Sequence, residues 1–196
     1  MTPAAMTKNN TSMTGIFQRL AALAIACQLV CSCGTVSINT SGYATLTDVQ
    51  RARVKPCAGA ISSLRADSNI YQVTAAQVKE HIAGQGEVIV HEFTPWCNGD
   101  QCVIPWAAEK AIRERGYGFC LVAIGYDHPE RLAGVSSPKL VINTTAYGTD
   151  NFKKYCRKFF GELTGADWRD LQGNFHLFKY GRYVYTYNEL KDIPAV

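Results

Sequence analysis

The chain predicts an α/β fold: a central, mainly parallel sheet with helices on both faces, closed by a C-terminal antiparallel hairpin. Three observations carry this. "EVIVHEF", "FCLVAIGYD" and "KLVIN" are near-continuous apolar runs, as expected of strands covered on both faces. Segments of helical period separate or follow them, and alternation of this kind connects parallel strands. "NFHLFKYGRYVYTY" reads as two strands about a tight Tyr180-Gly181 turn. At 196 residues and 47% hydrophobic composition, the chain can bury one full-sized core.

The N-terminus differs in kind. Met1 to Arg19 carries Lys8 and Arg19 and no acidic residue, with Met13 the more ordinary signal start. The eleven-residue apolar run "LAALAIACQLV" follows, then "VCSCG". The run is too short to span a bilayer and has the length of a signal-peptide apolar region. With the small residues after it, this resembles the lipobox of bacterial lipoproteins. The resemblance implies a signal peptide at 1–32, lipidation of Cys33 (Cys27 being a second choice) and a location in the bacterial cell envelope, lipid-anchored and facing the periplasm or cell exterior. Residues 33–45, rich in Ser, Thr, Asn and Gly, would be the tether. Loss of Lys8 and Arg19 would lower the net charge from +4 to +2, and no Lys/Arg cluster suggests nucleic-acid binding. Cys57, Cys97, Cys102, Cys120 and Cys156 would remain, beyond the cytosolic reductants. Five is odd, so at least one thiol stays free or pairs outside the chain.

Along the mature chain, 46–69 reads as an N-terminal extension in which Thr47 caps a short helix stopped near Pro56. "IYQV" is a short strand. Thr74 caps a helix with Val78 and Ile82 on one face, stopped by Gly84. A helix over Pro105–Arg115 is expected to turn Trp106, Ala107, Ala111 and Ile112 inward and Glu109, Lys110, Arg113 and Glu114 outward, with Gly116 ending it. "HPERLAGV" gives a short helix with Pro129 in its first turn. "DNFKKYCRKFFGELTG" gives a helix with Phe152, Tyr155, Phe159, Phe160 and Leu163 on its apolar side. The aromatic run Tyr180, Tyr183, Tyr185 and Tyr187 alternates as strand residues should and is expected to form a sheet face.

The segment carrying chemistry is "HEFTPWCNGDQCVIPW". A buried strand, then Trp96 and Cys97 before a helix, resembles the thioredoxin-like fold. Ungapped alignment puts Trp96 on that family's tryptophan, Cys97 on its nucleophilic cysteine and Pro105 on its helix-kinking proline. "LFKYGRYV" looks like its last hairpin. The resemblance covers about 70–196, with an insertion near 139–173. It implies that Cys97 attacks from a helix start, where open amides and the helix dipole stabilise a thiolate, and that Cys102 resolves the mixed disulfide. Pro95 and Trp96 would shape the rim, and His91 stands where the family has a buried acid, as a possible proton acceptor. Asp100 falls on the family's resolving position. Two cysteines five apart in one regular helix have Cα atoms roughly 8–9 Å apart, beyond the ~7 Å a disulfide spans, so closure requires irregular backbone. Strand order makes Pro138 the family's cis-proline, whereas the hairpin alignment puts Gly173 at that position and would leave the cis-proline missing.

"TPWCNGDQC" is also similar to the "TPGCTxxxC" segment of bacterioferritin-comigratory-type peroxiredoxins, which would make Thr94 a peroxide-binding residue beside the same cysteines; Val90 stands in place of that family's proline. Three functions therefore stay open: thiol–disulfide oxidoreductase, thiol peroxidase, and a non-catalytic thioredoxin-like surface lipoprotein. The expected partners are the membrane, through the lipid, and protein or small-molecule thiols and disulfides. Cys-x4-Cys has no second nearby pair, and His128 and His176 are distant in sequence, so neither metal nor cofactor is expected.

Overall fold

The computed structural model describes residues 39–99 and 102–196. The signal peptide, Cys33, the tether up to residue 38 and Asp100 lie outside the described residues. Among the described residues seven strands form one sheet: β1 (Val54–Pro56), β2 (Ile70–Val73), β3 (Glu87–Phe93), β4 (Gly118–Ala123), β5 (Lys139–Ile142), β6 (Phe175–Lys179) and β7 (Arg182–Tyr187). Their order is β1-β2-β5-β4-β3-β6-β7. The pairs from β1 through β3 are parallel, and β3–β6 and β6–β7 are antiparallel. This is the predicted α/β class, consistent with a thioredoxin-like arrangement.

Alternation along the strands sends successive side chains to opposite faces, and both faces are covered. Val88 and Val90 of β3, Val122 of β4 and Leu140 and Ile142 of β5 share a core with α2 (Ala75–Ala83) and α4 (Phe152–Thr164), through Val78, Ile82, Tyr155, Phe159, Phe160 and Leu163. Ile89, Phe93, Phe119, Leu121, Val141 and Phe175 face the other way, onto Ala108 and Ile112 of α3 (Pro105–Glu114). Burial of each large apolar side chain contributes roughly 1.5–3 kcal/mol.

Local chemistry sets the boundaries. Thr74 and Gln77 cap α2 reciprocally, each side chain satisfying the other's backbone N–H. Thr47 and Gln50 do the same for α1 (Asp48–Arg51). That helix ends well before Pro56, because Val54–Pro56 instead form β1 against β2. A residue preceding proline is biased to extended backbone, which favours the strand. β5, inside the stretch read as an insertion, pairs with both β2 and β4 near the middle of the sheet. The hairpin turns at Tyr180 (φ 50°) and Gly181 (φ 73°), the two positive values a type I′ turn needs.

α3 departs from its expected facing. Its buried stripe is Pro105, Ala108, Glu109 and Ile112, while Trp106 is 48% exposed and packs over Gly134. Glu109 can go inward because both of its carboxylate oxygens accept hydrogen bonds. It accepts from Arg113 and Ser137 through Oε1 and from the Ser136 amide at 2.6 Å through Oε2. Pro105 does not kink the helix but begins it, where a missing N–H costs nothing.

Candidate functional site

The cysteines lie on the loop that leaves the carboxyl end of β3, the region where α/β sheets generally place their sites. After Phe93 the chain turns. The Cys97 amide donates to the Thr94 carbonyl at 3.2 Å and the Cys102 amide to the Gly99 carbonyl at 2.9 Å. Cys97 and Cys102 form a disulfide with Cα atoms 5.8 Å apart; both residues are half-buried. The separation is shorter than a helix permits, and the backbone explains it. Cys97 precedes Pro105, the first residue of α3, by eight positions, and Cys102 precedes it by three. The expectation that Cys97 occupies a helix start is therefore corrected: Ile104 is extended and α3 begins only at Pro105.

A hollow of about 20 Å³, room for one water, adjoins the pair. Its lining includes His91, Thr94, Cys97 and Cys102, with Asn174 and Phe175 opposite. Thr94 is thus beside Cys97, as the peroxidase alignment requires. Pro138 is not: it lines a separate hollow with Arg113, Ser137 and Leu140. Gly173, next to Asn174 in the chain, is the residue the hairpin alignment selects, and among the described residues no peptide bond is cis. Pro95 is buried rather than on the rim. Trp96 is half-buried, edge-on to Phe152 at 5.1 Å between centroids, with Gly125 so close that an added Cβ would sit 2.7 Å from the indole.

His91 does not suit the role of proton acceptor. It is 3% exposed and stacked on Phe175 at 4.5 Å, and its Nδ1 has no hydrogen-bond partner. Burial, reinforced by the charge of His176, pulls its pKa down to about 3, so the ring stays neutral at ordinary pH. The three free thiols among the described residues are poor nucleophiles for the same reason. Burial pushes Cys120 up to about 12 and raises Cys57 and Cys156, the last helped by the charge of Glu92.

Two features escaped the sequence reading. Glu92, on the opposite face of β3 from His91, is 4% exposed. Its carboxylate accepts from Trp168 Nε1 at 3.2 and 3.3 Å and lies 3.3 Å from His176 Nε2. His176 Nδ1 continues to Thr186 Oγ1 at 2.9 Å, and Thr186 to the Tyr183 hydroxyl at 2.8 Å. The signal was a charged residue inside an apolar strand, which must find partners. The second feature is Arg131, whose Nη1 donates to the carbonyls of Pro95, at 2.7 Å, and Cys97.

Among the described residues no cluster of three His, Cys, Asp or Glu side chains could hold a metal, and no helix is long and apolar enough to cross a membrane. Fold and site together define an α/β protein with a cysteine pair at disulfide distance beyond a central strand. No family model, curated protein or solved structure matches the chain.

Proposed function

We propose that the protein is a thioredoxin-like lipoprotein of the bacterial envelope, anchored through Cys33, that exchanges disulfides with protein or small-molecule thiols through Cys97 and Cys102. The observation that carries this reading is the half-exposed Cys97–Cys102 pair, 5.8 Å between Cα atoms, just past β3. In the reduced protein, the Cys97 thiolate attacks a substrate disulfide. A Cys97–substrate bond forms and one substrate thiolate leaves. The Cys102 thiolate then attacks the Cys97 sulfur, closes the 97–102 bond and releases the second substrate thiolate. Two electrons pass from the protein dithiol to the substrate, and an external dithiol resets the pair by the reverse exchange.

A second reading has its own support. Among the described residues no helix start adjoins Cys97, so a standard means of stabilising the thiolate is missing from the disulfide form. This favours a non-catalytic surface protein in which the disulfide closes a loop. One set of assays separates the readings, using protein reduced with dithiothreitol and Cys97→Ser as control. Rapid insulin reduction that vanishes in the variant supports exchange. Rapid peroxide consumption dependent on Thr94 supports the peroxidase alternative. Neither activity, with slow ordinary thiols, would leave the loop-closing role.

A further inference from the structure

We infer that Arg131 is a positioning residue for Cys97, supplying at the cysteine loop the positive charge that a helix start would otherwise provide. Arg131 stands 34 positions further along the chain, on the 3₁₀ turn Pro129–Leu132 that follows β4. Two features fix that turn. His128 enters it with φ 50°, and its carbonyl accepts the Arg131 amide at 2.9 Å. Leu132 is buried at 3% exposure in the core beneath α3. β3 and β4 are parallel neighbours, so the loops leaving their carboxyl ends meet, and the guanidinium lands on the cysteine loop. Nη1 donates to the carbonyls of Pro95 and Cys97 and lies 3.5 Å from Asn98 Oδ1, while Cζ lies 5.6 Å from the Phe93 ring centroid.

These contacts do two things. Bridging Pro95 and Cys97 fixes the backbone on which the Cys97 sulfur is carried. They also place a cation against the carbonyl of the very residue whose sulfur becomes negative when the disulfide opens. In a partly buried loop such a charge acts at an effective dielectric well below that of water, and an adjacent Arg is one of the recognised ways a thiolate is favoured.

The inference rests on the reading that Cys97 is the nucleophile, and the test separates the two. Cys97 is left as the sole cysteine of the pair by Cys102→Ser, and its thiolate absorbance is titrated with Arg131 intact, as Arg131→Gln and as Arg131→Lys. The glutamine keeps donors and removes charge; the lysine keeps charge and loses the fork. The midpoint is expected to rise by about one pH unit in Arg131→Gln, tenfold less thiolate below it, and to return part of the way in Arg131→Lys. A purely structural role would lower the urea unfolding midpoint in both variants and leave the titration where it was. Equal titration midpoints overturn the inference whether or not the protein reduces insulin. A shifted midpoint in a protein without exchange activity upholds the role of Arg131 and counts against the exchange reading instead.

Discussion

Glu92 of β3 and His176 of β6 meet in the core with Oε2 and Nε2 3.3 Å apart and side chains 6% and 0% exposed. Trp168 also donates to the carboxylate, and Thr186 pairs the other nitrogen of the imidazole, so the two side chains belong to one buried network, and removing one member leaves its partners unpaired. His176→Leu is expected to destabilise by about 3 kcal/mol, because it strands a buried carboxylate. Glu92→Met combined with His176→Leu should recover much of that loss, since apolar replacement of both partners strands nothing. Urea unfolding of the single and double variants measures it; a double variant as unstable as the single would contradict the account.

His91 makes the protein acid-sensitive. Its folded pKa of about 3 lies below the unbound value of 6.5, so between those limits the unfolded chain takes up a proton that the folded one refuses. Stability is unaffected by this group above pH 6.5, falls as pH drops through the window by at most about 1.4 kcal/mol per unit, and levels off below pH 3. His91→Phe removes both the proton site and the orphaned Nδ1. It should match or exceed the parent at pH 7.5 and pull further ahead at pH 5. Guanidinium unfolding at the two pH values decides this, and an identical pH slope would rule His91 out as the source.

The disulfide closes a short loop, so its loss by Cys102→Ser is expected to cost only ~2 kcal/mol on the chain-entropy model. Reduction should also leave helix content nearly unchanged. Pro105 gives no N–H to an upstream carbonyl and biases Ile104 away from helix, and Ile104 is indeed extended. Far-ultraviolet circular dichroism should therefore gain no more than roughly one turn on reduction of the parent and visibly more in Pro105→Ala. A large gain in the parent would show that the disulfide alone had been holding the segment open.

Gly173 enters β6 at φ 145°, and a Cβ there would lie 2.2 Å from the Tyr187 carbonyl oxygen. The obstacle is backbone, which cannot step aside. Gly173→Ala is expected to cost roughly 2–4 kcal/mol, read as a lowered thermal midpoint. Gly148→Ala serves as the comparison: it also has positive φ but meets nothing within 4 Å, so a loss of equal size at both positions would reduce the effect at Gly173 to backbone strain alone.

Much of the fold was legible because its signals are local. "EVIVHEF" became β3 and "KLVIN" β5, and Thr74, Gly116 and the Tyr180-Gly181 turn fell where capping and turn chemistry put them. The failures share a cause. Val54–Pro56 gives little strand signal by itself and needed β2 as a template. Helical periodicity located the α3 stripe only to within one residue, so Trp106 and Glu109 exchanged sides; Ser136 and Ser137, which make an inward Glu109 tolerable, arrive from a loop 27 and 28 positions away.

The sequence by itself determined the α/β class and the hairpin and marked Cys97 and Cys102 as the candidate pair, since hydrophobic period, caps and motifs are written within a few residues; the irregular backbone that lets the pair close came from the structure. Only the tertiary structure decided what surrounds that pair. Arg131, Asn174 and Phe175 reach it, Pro138 does not, and Glu92 rather than His91 carries the buried charge network. Parallel pairing of β3 with β4 and antiparallel pairing with β6 set those neighbours. Contacts made across a sheet depend on which strands lie side by side, and one chain's local pattern carries no record of that order.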